Sequence, residues 1–239
     1  MNELVGNNDG YSIQKAITFQ WSSISGELDK ERIRFLQQHV IGPRVLDAGC
    51  GGGGYVDFLV RNGFDAVGVD KYDMFLARAR AKGYLGKFIQ ADLNEKLPFA
   101  DKSFDTTCCM DVLEHIDDQS AIRELARVTR KRLIIMVPLE DKRLRQFGLV
   151  LFTYQDPTHL RYYNRESIQE LASLVAPCSV KLTEQVHIDL KKLVQHMLKP
   201  ESRRPVLQWI YRRLFNFLLL RCHEPSIFMN IAAVIDFEL

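Results

Sequence analysis

The sequence predicts a doubly wound α/β fold built on an open, mostly parallel sheet. Three observations carry that expectation. From Gly42 onward, strand-like and helix-like segments alternate at the spacing of βαβ units. A glycine run, Gly49-Cys50-Gly51-Gly52-Gly53-Gly54, joins the first strand of that series to its first helix. An acidic residue also recurs near the C-terminal end of four successive strands: Asp47 to Asp70 is 23 residues, Asp70 to Asp92 is 22 and Asp92 to Asp111 is 19. In a doubly wound sheet those ends lie side by side along one edge, where ligands bind. Four acids in register there suit a ligand with several donors, such as hydroxyls and amines.

Residues 1–40 precede the domain. The stretch Tyr11–Trp21 carries Tyr11, Phe19 and Trp21 and reads as a lid over the site or as a helix packed on the sheet edge. The domain proper takes residues 41–239. Arg44–Asp47 is a short buried strand after Pro43, and Tyr55–Val60 a helix ended by Asn62-Gly63. Asp65–Val69 is the second strand, ending at Asp70. Met74–Lys82 is a helix with Asp73 at its start and Gly83 as its stop. Lys87–Gln90 is the third strand, and Asp105–Met110 the fourth, opened by Asp105. Ser120–Arg130 is a helix, Arg132–Val137 a fifth strand stopped by Pro138, and Arg165–Leu174 a further helix. Ser179–His187 and Ile227–Phe237 are the sixth and seventh strands.

Between those last two strands the chain is far longer than a hairpin needs, so residues 188–224 are read as a helical insert. Residues 191–221 hold eight basic residues against Glu201, a net +7 that leaves −5 on the rest of the chain. Leu207, Ile210, Tyr211, Leu214, Phe217 and Leu218 follow a helical apolar pattern, with Arg204, Gln208, Arg212 and Asn216 opposite. The apolar side either packs on the domain and roofs the site or makes a peripheral membrane contact near a lipid-linked substrate. Nucleic acid is set aside, because no base-stacking platform is interleaved with the charges.

Composition narrows the classes further. With 239 residues, 46% hydrophobic and 26% charged, the chain can bury a real core and is not broadly disordered. The net charge of +2 excludes a globally basic nucleic-acid binder. No apolar run is long enough to cross a bilayer; Leu214–Leu220 is seven residues interrupted by Asn216. Met1-Asn2-Glu3-Leu4 lacks the charged-then-apolar pattern of a secretory leader. The five cysteines contain no C-x-x-C pair, so a disulfide framework or Cys-rich zinc site is not expected. A cytoplasmic protein, with at most a peripheral membrane association, is the expectation.

The glycine run fits G-x-G-x-x-G, and Asp70 stands where a dinucleotide-binding acid would. Asp47, two residues before the first glycine, argues against a dinucleotide. A pyrophosphate on the adjacent helix N-terminus would sit close to that carboxylate, and like charges at short range repel. A cationic ligand without phosphate reverses the sign of the interaction. S-adenosyl-L-methionine, with its ammonium and sulfonium, meets that requirement, and the glycines allow the backbone to approach it closely.

Val45-Leu-Asp-Ala-Gly-Cys-Gly-Gly-Gly53 resembles motif I of the class I S-adenosylmethionine-dependent methyltransferases. Val69-Asp70 resembles the acid that holds both ribose hydroxyls in that family, and Gln90-Ala91-Asp92-Leu93 the pair that reads the adenine. Leu97–Asp105 and Asp111-Val-Leu-Glu-His-Ile116 resemble the type 11 branch, which includes quinone-pathway O-methyltransferases. The ordered resemblance spans roughly residues 40–175. It implies a Rossmann-like seven-stranded sheet with an antiparallel last strand. It also implies S-adenosylmethionine contacts from Asp47, Gly49, Cys50, Gly51, Gly53, Asp70, Lys71, Ala91, Asp92, Leu93 and Met110.

After the fourth strand the chain reads Met110-Asp111-Val112-Leu113, not the Asn/Asp-Pro-Pro-Tyr/Phe tetrad typical of methylation at DNA-base or protein-amide nitrogen in this fold. That departure argues against those acceptors, and the resemblance to quinone-pathway O-methyltransferases implies a small-molecule or lipid-like acceptor methylated at a hydroxyl oxygen. A nitrogen or carbon acceptor and a non-catalytic binding domain are the alternatives. A hydroxyl needs a base. The candidates are His159, in the loop Gln155-Asp-Pro-Thr-His-Leu-Arg-Tyr-Tyr163 ahead of a helix, and His115, after the fourth strand. The resemblance also offers Asp111, Glu114 and His115 as metal ligands, as in some quinone O-methyltransferases. The sequence gives no further converging ligands, and no metal site is assigned.

Overall fold

The computed structural model describes residues 28–140, 158–188, 213 and 227–238. The expected lid segment Tyr11–Trp21, residues 155–157 of the histidine loop and all of the expected insert except Ile188 and Arg213 lie outside the described residues.

The described chain runs α1 (Lys30–His39), β1 (Arg44–Ala48), α2 (Gly54–Arg61), β2 (Asp65–Asp70), α3 (Asp73–Ala81) and β3 (Lys87–Gln90). It continues with β4 (Phe104–Met110), a 3₁₀ turn (Leu113–His115), α4 (Asp118–Val128), β5 (Thr129–Pro138), α5 (Arg165–Ser173), β6 (Ser179–Ile188) and β7 (Ile227–Asp236). The seven strands form one sheet in the order β3-β2-β1-β4-β5-β7-β6. Neighbours from β3 through β5 pair in parallel, while β7 is antiparallel to both β5 and β6. The strand order reverses between β1 and β4, which opens a crevice above their C-terminal ends.

Both sheet faces are covered, and the strand period of two sends alternate side chains into two cores. On one face Leu46, Leu133, Ile135, Val137, Ile231 and Ala233 pack with Ile122 and Leu125 of α4 and Ile168 and Leu171 of α5. On the other, Val45, Ile134, Met136 and Val234 pack with Phe35 and Leu36 of α1, Val56 and Leu59 of α2 and Leu76 of α3. Asp47 has the parity of Val45, and so lies on the α1–α3 side of β1.

Most element ends shift by one residue from those the sequence suggests, and the larger differences lie at the two ends of one helix and at the start of the strand after it. The helix read as Ser120–Arg130 begins at Asp118, because Asp117 is its N-cap and accepts hydrogen bonds from the Gln119 and Ser120 amides. Such a cap stabilises a helix by about 1 kcal/mol. The same helix ends at Val128 and passes directly into β5. Thr129, at the junction, donates to the Leu125 carbonyl at 2.6 Å and accepts from the Thr107 hydroxyl at 2.7 Å, which ties the strand start to β4. Asp105, the second residue of β4, is buried at the opposite end of the sheet from the crevice. It accepts from the Arg44 amide and pairs with Arg130 and Lys131.

Candidate active site

The glycine run forms the turn from β1 into α2. Gly49 and Gly53 have φ of 80° and 74°, in the left-handed region that favours glycine. A Cβ on Gly49 would collide with Val112, and one on Gly53 with the Phe88 ring and the Ala79 methyl. The first glycine is thus set by the turn after β4 and the other by packing on α3 and β3.

Two of the four strand-end acids flank this turn. Asp70 accepts from the Gly51 amide at 2.8 Å and the Tyr72 amide at 2.9 Å, so it braces the loop and still has lone pairs to offer. Burial raises the pKa of Asp70 despite those two bonds. Asp47 is fully enclosed, and among the described residues its Oδ2 has no hydrogen-bond partner. Burial first, and then the nearby Asp70, push its pKa to about 7, against the opposing pull of Arg32. An orphaned, buried carboxylate oxygen is costly, and a cationic group entering the crevice would relieve that cost.

The third acid, Asp92, lies just beyond β3. Its Oδ1 accepts from the Asn94 amide and side chain, and Oδ2 is 3.1 Å from Lys71 Nζ. Burial is outweighed by those partners, and Asp92 stays below the usual carboxylate range. Lys71 therefore has an acidic neighbour beside the crevice. Cys50, Leu93 and Met110 are buried in the hydrophobic cores, so their side chains serve packing and only their main chain is left to meet a ligand. Ala91 is partly buried against the same packing as Leu93.

The fourth acid, Asp111, follows β4 with a φ of 55°, an unusual value for a residue with a Cβ. It accepts from Arg32 of α1 and from Asn230 of β7, the latter at 3.0 Å. Burial works against the charge on Arg32, but Asp111, Tyr55 and Asp29 outweigh it and hold the guanidinium protonated. Sequence reasoning missed Arg32 and Asn230. Arg32 is one of several charged residues on an amphipathic helix, and Asn230 stands in an otherwise apolar stretch of strand, with nothing in the local spacing of either to mark a tertiary partner.

The two histidines converge although His115 stands 43 positions ahead of its hydrogen-bonding partner Thr158, the residue just before His159. His115 sits in the 3₁₀ turn, its Nδ1 3.0 Å from the Thr158 hydroxyl and 3.2 Å from the Thr158 carbonyl oxygen. His159 meets it edge to face, with ring centroids 4.6 Å apart and planes at 68°. The Tyr162 ring lies 5.9 Å from His159. The buried Glu114 completes the group, with Oε1 3.9 Å from His115 Nε2. Ligand-type atoms of Glu114, His115 and His159 all lie within 4.8 Å of one another. The site thus has two parts: an acidic cradle on β1–β3 and a histidine–glutamate cluster beyond β4. Val112, which fixes Gly49, belongs to the turn that carries His115.

Residues 46–137 match the model of a family described as a methyltransferase domain. Over 112 residues the chain is 37% identical to a ubiquinone biosynthesis O-methyltransferase of Hahella chejuensis, a match covering 44% of this chain and 47% of that one. The chain thus spans about half the length of the curated relatives it matches. Among solved structures, an S-adenosylmethionine-dependent methyltransferase from Archaeoglobus fulgidus superposes with a TM-score of 0.65 at 21% identity, covering 92% of this chain and 98% of that one. Phosphoethanolamine N-methyltransferase 2 of Haemonchus contortus, in complex with S-adenosyl-L-methionine, gives 0.64 at 16% identity, covering 100% and 62%.

Proposed function

We propose, for a chain that carries a class I S-adenosylmethionine-dependent methyltransferase domain of the type 11 branch, that it transfers a methyl group to a hydroxyl oxygen of a small-molecule or lipid-like acceptor. The observation that carries this reading is the pairing of His159 with His115 at 4.6 Å beside the crevice. A binding domain without catalysis has no need of a proton acceptor there. Two of the three relatives described above point in different directions on the acceptor atom, one named for oxygen and one for nitrogen. The histidine pair favours oxygen, because a hydroxyl must lose its proton as it attacks, whereas a neutral amine attacks with its lone pair and loses the proton later.

Bound in the crevice, S-adenosylmethionine would supply a methyl group on a sulfonium, whose departure as a neutral thioether requires no acid. The chain's own residues do the rest. Asp47 offers a buried negative charge to the cationic amino-acid end, and its orphaned oxygen supports that fit. Asp70 accepts from the ribose hydroxyls while it braces Gly51. Asp92 stays ionised and accepts from the adenine amine, with Ala91 and Leu93 beside it. Main chain at Gly49, Cys50, Gly51, Gly53 and Met110 lines the cradle, and Lys71 sits at its rim. His159 takes the acceptor's proton, with His115 next to it as a second station. Alignment in a water-poor crevice supplies much of the remaining acceleration.

The same reading gives residues 188–224 the part of a roof or membrane-facing helix, and leaves the lid role expected of residues 1–40 to the part ahead of α1, because α1 packs on the sheet through Phe35 and Leu36. The +7 charge on residues 191–221 supports the second role for a lipid-like acceptor. Co-sedimentation with anionic but not neutral vesicles, lost at high salt, is the expected result for that role. No helix among the described residues is long and apolar enough to cross a membrane.

The direct test is incubation with methyl-labelled S-adenosylmethionine and fractionated lipid and aqueous cell extracts. Label should pass to an acid- and base-stable ether in one fraction. Label appearing only on amines or carbon, or in no fraction, would contradict the oxygen assignment or the activity itself.

A further inference from the structure

Among the described residues, the stretch from Thr158 to α5 that carries His159 has no helix or strand of its own. Thr158 is a turn residue, and the stretch that follows touches the sheet through an isolated bridge between Tyr163 and Leu139. The 3₁₀ turn that carries His115 is equally short. Something other than secondary structure has to hold the two rings edge to face.

The hydrogen bonds between the segments show what does. A 3₁₀ turn leaves carbonyl groups without partners inside the turn. Here two of those carbonyls, on Leu113 and Glu114, and that of Ile116 just past the turn are met by donors from the histidine loop. The Leu160 amide donates to the Glu114 carbonyl at 2.8 Å. Arg161 Nη1 donates to the Leu113 carbonyl at 2.9 Å and also to the Ile116 carbonyl, so one nitrogen with two hydrogens spans the turn from end to end. Tyr163 donates to Asp118 at 2.8 Å, with its oxygen 3.2 Å from the Leu113 carbonyl, and Arg161 Nη1 lies 3.6 Å from Asp118 Oδ1. Burial and the neighbouring Asp118 push the Tyr163 pKa well up, so the phenol stays a donor.

We propose that Arg161 is a positioning residue: its guanidinium clamps the 158–163 loop onto the turn after β4 and thereby fixes the His159–His115 pair. The proposal rests on the reading of that pair as the proton-transfer site. Arg161 itself need not touch acceptor or cofactor. Its two bonds converge on main chain, and its role follows from reach and fork geometry, which a lysine only partly reproduces. Leu160 and Tyr163 supply the flanking bonds, but they donate to one carbonyl and to one side chain, whereas Arg161 joins both ends of the turn.

The test is nuclear Overhauser contact between the His115 and His159 imidazole protons in the full chain, for the wild type, Arg161→Gln and Arg161→Lys. S-adenosylmethionine binding heat and the thermal transition report whether each variant is folded. The wild type should give a clear cross-peak. Arg161→Gln should lose it while cofactor affinity stays within about twofold. Arg161→Lys should keep a weakened one. In the extract fraction that accepts label, turnover of Arg161→Gln should fall by up to about 10²-fold, the loss expected for a misplacement near 1 Å. A full-strength cross-peak in folded Arg161→Gln overturns the clamp. Should that variant fail to fold, a full-strength cross-peak in Arg161→Lys does so instead. Because the cross-peak reads geometry and not activity, its result is separable from that for His159→Ala, whose undiminished turnover would overturn the base assignment and leave the clamp standing.

Discussion

The two halves of the crevice are built in different ways. The cradle on β1–β3 is local: Asp47, the glycine turn and Asp70 lie within 24 consecutive residues, and their mutual bonds are main chain to carboxylate at 2.8–2.9 Å. The cluster beyond β4 is assembled at long range. Arg32 reaches Asp111 across 79 positions, Asn230 reaches it across 119, and the loop around His159 reaches the turn around His115 across 43 to 50. The lesson is that the cradle's geometry comes with the βαβ fold, whereas the histidine cluster needs separate fastening. Substitutions in the first should change affinity, and those in the second turnover.

The largest effect that could break this division is at His159. His159→Ala should lower turnover by about 10²–10⁴-fold, the usual cost of losing a general base, while calorimetry finds cofactor affinity unchanged. Unchanged turnover at saturating acceptor would remove His159 from the reaction and shift the role to His115.

Next in size is Asp70→Ala. Loss of one or two bonds to a charged acceptor should weaken cofactor binding by about 2–3 kcal/mol. The structure adds a second consequence: the Gly51 and Tyr72 amides lose their acceptor, so the thermal transition should fall as well. A drop in turnover at saturating cofactor, with affinity intact, would blur the boundary between the halves.

A smaller effect, which sharpens the comparison, comes from pH. Asp47 has its pKa raised to about 7, above its unfolded value of 3.8. Between those two values the folded chain binds more protons than the unfolded one, so this group's contribution to stability is present at low pH and is lost as pH rises towards 7. Cofactor binding runs the other way. A cationic ligand favours the ionised form, so its affinity should rise with pH by at most tenfold per unit and level off above about 7. Isothermal titration in two buffers of different ionisation heat should detect proton release below that point. Asp47→Asn should abolish the dependence; a flat profile in the wild type would mean that Asp47 does not face the ligand's charge.

The smallest expected effect is none. Chelator treatment should leave turnover unchanged if Glu114, His115 and His159 act through protons. Loss of turnover restored by a divalent cation would reassign the cluster, whose ligand-type atoms lie within 4.8 Å of one another.

How much of this was legible in the sequence follows the same division. The strands were marked by short apolar runs or apolar–polar alternation and their stops, and the cradle by Asp47, Asp70 and Asp92 at near-equal spacing, because each of these signals lies close together along the chain. Asp117 was missed as a cap because the apolar period starts only at Ala121, and the polar first turn of α4 reads as loop. Arg32 and Asn230 carried no local signal, since their meaning lies in a strand-end carboxylate far along the chain. Arg161 and Tyr163 stood inside the Thr158–Tyr163 stretch singled out for its histidine. Their alternation with His159 is the pattern of an extended segment with one face inward, but nothing in the sequence named the turn carbonyls they meet. Cys50, Leu93 and Met110 were expected at the ligand; their side chains are buried in the core, which leaves the main chain for that contact, because a chain that skirts a crevice still sends side chains into the packing beneath it.

The central claim is that the crevice is built for a cationic sulfonium ligand and not for a dinucleotide. Calorimetric titration of the purified chain with S-adenosylmethionine and, separately, with NADH tests it most directly. The account predicts saturable heat with S-adenosylmethionine, weakened in Asp70→Ala, and none with NADH. Saturable binding of NADH with no response to S-adenosylmethionine would contradict it.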